Sequence, residues 1–393
     1  VIIGGRSAQL MALDGSTGET LWEYLPHNPA TDYFNDTSIL NFFTPQLVPD
    51  QNGDGAEDLL TAYGGFVKAR PWEYERPAGQ LLLVCARTGQ LLHRVFMPDG
   101  RETYMSPVVL QKNGALHVIF GTGGETINGN LYIAPLADLL DNRLDQYQIL
   151  ARGEEKGFIA PPVLADITAD GQADIIVNAF EGNTLAFSGR NLRLLWQATP
   201  GPGYETHSQP APGQFTGNPA TDFFINYGKG QWPQVEGALQ VIIDGQTGQL
   251  HRLDSTGNLQ YAAPVVVEAE GRQQVIFPVN MKIPTGFAPE TGQPAESLET
   301  RLMLFDPATG QSQSLAAAPG ANIGSTVLLQ DLDKDGRAEL VFVHNNNPYE
   351  PFTFNGISVA CISAPGTAGP WSRYMGVNGK STLPLANTAS AGH

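Results

Sequence analysis

The stretch Asp331-Leu332-Asp333-Lys334-Asp335-Gly336-Arg337-Ala338-Glu339 runs straight into the apolar segment Leu340-Val341-Phe342. Oxygen-bearing side chains stand at loop positions one, three, five and nine, with glycine at six. Alternate side chains of so tight a loop share one side, and glycine permits the sharp turn that brings position nine back. A hard cation such as calcium takes oxygen ligands of this kind. The same loop occurs twice more. Asp50-Gln51-Asn52-Gly53-Asp54-Gly55-Ala56-Glu57-Asp58 leads into Leu59-Leu60, and Asp166-Ile167-Thr168-Ala169-Asp170-Gly171-Gln172-Ala173-Asp174 leads into Ile175-Ile176-Val177. The expected ligand sets are Asp50, Asn52, Asp54 and Asp58; Asp166, Thr168, Asp170 and Asp174; and Asp331, Asp333, Asp335 and Glu339. The carbonyls of Ala56, Gln172 and Arg337, at position seven, complete each shell. About three Ca2+ ions are therefore expected. An EF-hand loop is longer and lies between helices, whereas these loops join two strands.

A second signature falls between the acidic loops. Ala12-Leu13-Asp14-Gly15-Ser16-Thr17-Gly18-Glu19-Thr20-Leu21-Trp22 reads as strand, Thr-Gly turn, strand ending on tryptophan. Related forms recur at Val84–Gly89, Ala186–Trp196, Ile243–Gly248 and Phe305–Gly310, and a weaker one runs from Cys361 to Trp371. Glycine after threonine supplies positive φ, and aspartate caps the turn through its side chain. A small residue plus proline precedes several apolar strands, at Thr44-Pro45, Ser106-Pro107, Ala160-Pro161 and Ala263-Pro264.

One unit thus reads as four strands, A to D, recurring about every 50–60 residues, the spacing of propellers and repeat arrays. Seven units are expected, at about 1–25, 44–98, 105–150, 160–200, 208–254, 263–315 and 325–375. The fold class is all-β, a seven-bladed β-propeller of four-stranded antiparallel blades spanning 1–375. An open solenoid is the other arrangement such repeats allow. In the third unit, Leu136 to Leu144 also suits a short helix. The first unit lacks strand A, and Leu383-Pro384-Leu385-Ala386-Asn387 in the tail 376–393 echoes Pro162–Asp166. The tail therefore either completes the first blade beside Val1–Gly5 or is a disordered end.

The acidic loops resemble the FG-GAP/VCBS repeats of integrin α-type propellers. The run from Ala12 to Trp22 resembles the repeat of PQQ-like propellers, including outer-membrane assembly factors. Together these resemblances cover nearly the whole chain. They imply a propeller fold and leave activity open, since such blades serve adhesion, scaffolding and catalysis alike.

Composition narrows the classes. The 393 residues include 44 glycines and 29 prolines, only 16% are charged, and the formal net charge is −17. Many short strands and tight turns fit that profile. No basic stripe exists to neutralise phosphates, so a nucleic-acid partner is excluded. No apolar run is long enough for a membrane helix. The opening Val1-Ile2-Ile3-Gly4-Gly5 reads as mid-strand, so residues upstream are expected. Cys85 and Cys361 lie in strand-like segments and read as buried free thiols, with a disulfide as the alternative. Weak calcium loops suit an extracellular, cell-surface or periplasmic setting.

Blade topology places the acidic hairpins and Thr-Gly turns together, opposite the long segments 25–43, 64–78, 121–130, 201–207, 228–237, 280–299 and 345–354. Long loops on a rigid scaffold gather binding residues. Arg70, Trp72, Tyr74, Tyr104, Tyr204, Trp232 and Tyr349 are the expected partner-binding set, beside Lys68, Arg76 and Phe158, because Trp, Tyr and Arg make good anchors. Alternatively, such aromatics bury one another within the loops. Carboxylates at Asp32, Asp36, Glu73, Glu102, Glu205 and Glu350 leave a glycoside-cleaving pair open. The histidines, among them His27, show no metal-ligand spacing, and no nucleophile elbow or phosphate loop occurs. The reading is a calcium-stabilised adhesion or assembly scaffold for a protein or glycan, or a structural subunit of a surface assembly. The alternative is a propeller enzyme: a quinoprotein-like dehydrogenase, disfavoured by the lack of an adjacent cysteine pair, or a polysaccharide lyase or hydrolase.

Overall fold

The computed structural model describes every residue except 6–7, 27–38, 67–68, 71, 233, 259–260, 288–293, 351–352, 354 and 385–393. The chain is an all-β, seven-bladed propeller of antiparallel sheets, with one short helix, Leu136–Leu140, among the described residues. It divides into two compact units. One comprises Val1–Pro162, Ala179–Glu181 and Gly189–Arg193; the other comprises Val163–Asn178, Gly182–Ser188 and Leu194–His393.

The first unit carries three sheets. Ile2–Gly4, Leu10–Leu13 and Thr20–Tyr24 form a three-stranded first blade. In the second, Asn41–Phe42 and Gln46–Val48 both pair with Asp58–Gly64, followed by Gln80–Val84 and Leu91–Phe96. Pro45 has no N–H for the ladder and marks the break in its first strand. The third blade runs Val108–Lys112, Ala115–Gly121, Asn130–Pro135 and Gln148–Arg152. Leu60, Leu81, Phe120 and Tyr132 fill one core of this unit.

The second unit carries four sheets. The fourth blade is Val163–Ala165, Asp174–Ala179, Asn183–Phe187 and Leu194–Ala198. The fifth sets Tyr204–Glu205 and Ala211–Gly213 against Asp222–Gln231, then Gln234–Ile243 and Leu250–Asp254. The sixth is Val265–Ala269, Arg272–Phe287, Pro294–Asp306 and Gln311–Pro319. The seventh has Leu328–Gln330, Glu339–Asn345 and Ile357–Ser363. Inner strands such as Asp174–Ala179 are buried throughout, which is why they read as unbroken apolar runs. Outer strands bury only alternate residues, as at Trp196 and Ala198.

The tryptophans explain the repeat. Trp22 Nε1 donates to the carbonyl of Ala86 at 2.9 Å, and Trp196 Nε1 to that of Gly245 at 2.8 Å. Each ring lies on the next blade's Thr-Gly turn, so closely that a Cβ on Gly89 or Gly248 would meet it at 2.5 or 2.8 Å. Within the turn, Asp14 accepts the amides of Ser16 and Thr17 and the Ser16 hydroxyl. These bonds hold its carboxyl down to about 2.

Several expectations need correction. Segments 228–237 and 280–299 are largely the extended hairpins Asp222–Gln231/Gln234–Ile243 and Arg272–Phe287/Pro294–Asp306, since alternate apolar residues such as Val279 and Leu298 sustain the ladder. The strand expected to end at Trp371 does not close the seventh blade. Thr367–Ala368 instead pairs with Val267 and Glu268, and the carbonyls of Trp371 and Ser372 accept Val266 N and Leu329 N. Trp371 is thereby fully buried. The described part of the tail meets the fourth blade: Leu164 N donates to Ser381 O at 2.8 Å and Leu383 N to Leu164 O at 2.9 Å. Gln209 reinforces this with Ser381 Oγ and the Met375 amide. Leu385, Ala386 and Asn387 lie outside the described residues. Both cysteines are free, Cys85 buried and Cys361 exposed.

Candidate functional site

The acidic loops share one internal wiring. The carboxylate at position nine accepts the position-two amide: Asp58 from Gln51, Asp174 from Ile167 and Glu339 from Leu332. Position one accepts the amide of the glycine at six: Asp50 from Gly55, Asp166 from Gly171 and Asp331 from Gly336. Position five accepts the amide at seven: Asp54 from Ala56, Asp170 from Gln172 and Asp335 from Arg337. These bonds fold the loops.

Only the third loop, among the described residues, gathers three carboxylates: oxygens of Asp331, Asp333 and Asp335 lie within 4.8 Å of one another. Asp331 Oδ1 is buried without a hydrogen-bond partner. A convergent hard-oxygen set with an unsatisfied buried oxygen fits calcium. In the first loop, the Gly55 amide foremost holds the Asp50 carboxyl below its usual range, and the Ala56 amide does the same for Asp54, aided by the Cys85 thiol at 3.2 Å. Burial pushes Asp58 up, and the charges of Asp50 and Asp54 add to this. In the second loop the Thr168 hydroxyl donates to Asp174 Oδ2 at 3.0 Å.

A fourth copy was missed. Gln214, Thr216, Asn218 and Asp222 occupy positions one, three, five and nine of the fifth blade's hairpin, and Asp222 accepts the amides of Phe215 and Thr216. Asn218 accepts the Ala220 amide, matching the five-to-seven bond. Pro219 at position six has no N–H, and position one has no carboxylate to receive it. The Asn218 amide itself donates to Thr216 Oγ1 at 2.9 Å and Asp244 Oδ2 at 2.6 Å. Here a neutral amide supplies donors to the loop's oxygens. The spacing was visible; the missing carboxylate concealed it. The third and sixth blades shorten the hairpin to two positive-φ residues, Asn113-Gly114 and Glu270-Gly271.

Position four of each acidic loop is left-handed: Gly53 at φ 80°, Ala169 at 56° and Lys334 at 64°. Left-handed geometry costs a side-chain-bearing residue about 1–2 kcal/mol. Ala169→Gly, at an exposed position, is expected to raise stability by about 0.5–1 kcal/mol in urea unfolding.

The candidate partner residues separate into two groups. Trp72, Tyr74 and Tyr349 are 66%, 72% and 68% exposed, and Arg70 is exposed with its guanidinium 5.8 Å from the Trp72 ring centre. The other three are built into the fold. Tyr104 is half-buried against Phe43 and donates to Glu102 Oε2 at 3.0 Å. Trp232, half-buried at a hairpin tip, stacks edge-on with Tyr261, and its amide donates to Glu205. Tyr204 is half-buried, packed against the core around Phe224. Phe158 is buried, while His27, Asp32, Asp36 and Lys68 lie outside the described residues.

The loop bearing Trp72 is braced from below. Arg76 donates to the carbonyls of Glu73 and Arg70, and Glu73 accepts the Arg70 amide. Arg76 Nε also faces Glu102 Oε2 at 3.9 Å, both side chains almost fully buried. Burial pushes Glu102 up to about 7; Arg76 opposes this and Glu125 adds to it. Its Oε1 has no hydrogen-bond partner. Because the folded value exceeds the unfolded one, the folded state holds this proton more tightly. Stability from this group is full below about 4.5 and falls as pH rises to about 7. Glu102→Gln should flatten the stability profile between those values in thermal melts. Enclosed by Arg76 and Tyr104, Glu102 is a brace rather than a reachable acid.

No helix among the described residues is long and apolar enough to cross a membrane. No protein-family model matches the chain. It is 24% identical over 272 residues to Protein FAM234B of Homo sapiens, covering 63% of this chain and 39% of that protein. The chain thus spans about two fifths of that relative's length. BamB from Moraxella catarrhalis superposes with a TM-score of 0.44 at 12% identity, over 92% of this chain and 80% of that one. For a quinohemoprotein alcohol dehydrogenase from Comamonas testosteroni the TM-score is 0.47 at 14% identity, over 94% and 66%. A europium-containing methanol dehydrogenase superposes with a TM-score of 0.56 at 11% identity, over 88% of this chain and 72% of that one, a likeness of propeller fold.

Proposed function

We propose that this propeller is a calcium-stiffened binding or assembly scaffold. It takes a protein or glycan through aromatic side chains on its irregular loops, outside the cell or in the periplasm, on its own or within a surface assembly. The observation that carries this reading is the pair Trp72 and Tyr74, both largely exposed on a loop braced by buried Arg76 and Glu102. Aromatics held out from a rigid base lose little freedom on binding, which is how anchors gain affinity. The acidic loops hold calcium as ties between strands, since each lies within a single hairpin.

Affinity capture and a glycan array would identify the partner. The double variant Trp72→Ala/Tyr74→Ala should then bind about thirtyfold or more weakly, as for interface anchors, with little change in melting temperature. Undiminished binding would remove this surface from the reading. The enzymatic alternative, a quinoprotein-like dehydrogenase or a polysaccharide lyase or hydrolase, is tested by turnover with alcohols and polysaccharides.

A further inference from the structure

The first acidic loop has a thiol beside it. Cys85 opens the second blade's Thr-Gly turn, where its carbonyl accepts the Gly89 amide and its own amide donates to Gln90 O. Asp14 and Asp244 hold the same place in the first and fifth blades, accepting from Gly18 and Gly248 and donating to Glu19 and Gln249. Their carboxylates cap the turns, Asp14 on Ser16 and Thr17, Asp244 on Thr247. A thiol is a weak acceptor and makes a poor cap. Cys85 Sγ lies instead 3.2 Å from Asp54 Oδ2, at position five of the acidic loop. The fold itself sets this approach: in the fifth blade Asn218, also at position five, meets Asp244 Oδ2 at 2.6 Å.

Position nine of the same loop carries an unmet group. Asp58 is completely buried; its Oδ2 takes the Gln51 amide, while its Oδ1 has no hydrogen-bond partner. The charges of Asp50 and Asp54 reach it. A buried carboxyl oxygen without a partner costs free energy unless a ligand meets it. Three carboxylates and a buried thiol thus belong to one loop and the turn beside it. The chain's other cysteine, Cys361, is exposed in mid-strand opposite Val341.

We infer that the first acidic loop takes a thiophilic divalent cation of the zinc class, with Cys85 Sγ as a ligand beside Asp54 and Asp58. Calcium is hard and draws on oxygen, whereas zinc takes thiolate and carboxylate together. With Zn–S about 2.3 Å and Zn–O about 2.1 Å, a tetrahedral angle sets sulfur and oxygen about 3.6 Å apart. From the 3.2 Å between Cys85 and Asp54, that is an opening of about 0.4 Å. The thiol gives its proton to solvent as the metal–sulfur bond forms. This assignment rests on the reading of the acidic loops as cation sites.

Cadmium is the probe, because its bond to a thiolate gives an ultraviolet charge-transfer band. Added to the full chain in millimolar calcium, it should bind at one site and raise that band, and zinc should displace it. Cys85→Ser should abolish the band and weaken cadmium binding about a hundredfold, since even residues behind a metal ligand are worth about 10–100-fold. Its calcium binding and its melting temperature in calcium should be unchanged, which confirms that it folds. Asp58→Asn should also weaken cadmium while keeping the band at saturation. Absence of the band, its survival in Cys85→Ser or its loss in Cys361→Ser overturns the assignment. A chain that binds calcium but shows no band keeps the calcium reading and loses this one; a band without calcium binding does the reverse.

Discussion

Trp196→Ala is expected to destabilise the second unit by about 3–5 kcal/mol, the range for deleting a large buried aromatic. The side chain is 9% exposed, and its loss uncovers the Gly245 carbonyl as well as the Thr-Gly turn beneath the ring. Two further substitutions separate the contributions. Trp196→Phe keeps most of the packing and leaves the Gly245 carbonyl unpaired, for a cost of about 1–3 kcal/mol. Gly248→Ala keeps the tryptophan but places a methyl 2.8 Å from it, at φ +71°. That change combines about 1–2 kcal/mol of left-handed strain with overpacking. Urea unfolding of the three variants should rank Trp196→Ala as the most destabilised and Trp196→Phe as the least. A Trp196→Ala protein as stable as the parent would mean that the ring-on-turn contact is incidental.

Calcium is expected to have an effect of similar size. A ligand at a hundredfold its Kd stabilises the folded state by about 2.7 kcal/mol per site. Melting in millimolar calcium and again with excess EGTA should therefore differ markedly. Calorimetric titration should find up to three ions, with the 331–339 loop the tightest because its carboxylates already converge. Asp331→Asn/Asp335→Asn should remove one ion and its share of the stabilisation. Asn218→Ala should leave the count unchanged, because in that loop an amide supplies the donors. Identical melting with and without calcium would reduce all three loops to hydrogen-bonded turns.

The sequence was informative wherever a feature is local. The Thr-Gly turns and acidic loops depend on residues within one hairpin, so their spacing carried strand order, blade count and wiring. The fifth blade's loop went unread because its oxygen pattern survives without the carboxylate at position one. Surface placement was harder to foresee. Trp72 and Trp232 look alike in a list of loop aromatics; one is 66% exposed, while the other packs on Tyr261 and Val235. Spacing within either segment does not decide this, because Tyr261, the ring that meets Trp232, lies beyond that hairpin. The fate of the tail is non-local too. Ser381 bonds to Leu164, in a strand some two hundred residues earlier, and nothing in the residues around Ser381 names that partner.

That tail also constrains the order of events during folding. Gln209 bonds to Ser381 and Met375, separations of 172 and 166 positions, and the Val266 and Leu329 amides wait on Trp371 and Ser372. Loops that long close late, and domains rich in such contacts fold slowly. During synthesis the fourth to seventh blades therefore emerge with the inner strands Val163–Ala165, Val265–Ala269 and Leu328–Gln330 unsecured until residues 371–383 have left the ribosome. Truncation between Ala368 and Trp371 should trap the nascent chain in that state, exposed to chaperones and proteases, although the strands up to Thr367–Ala368 would already be present.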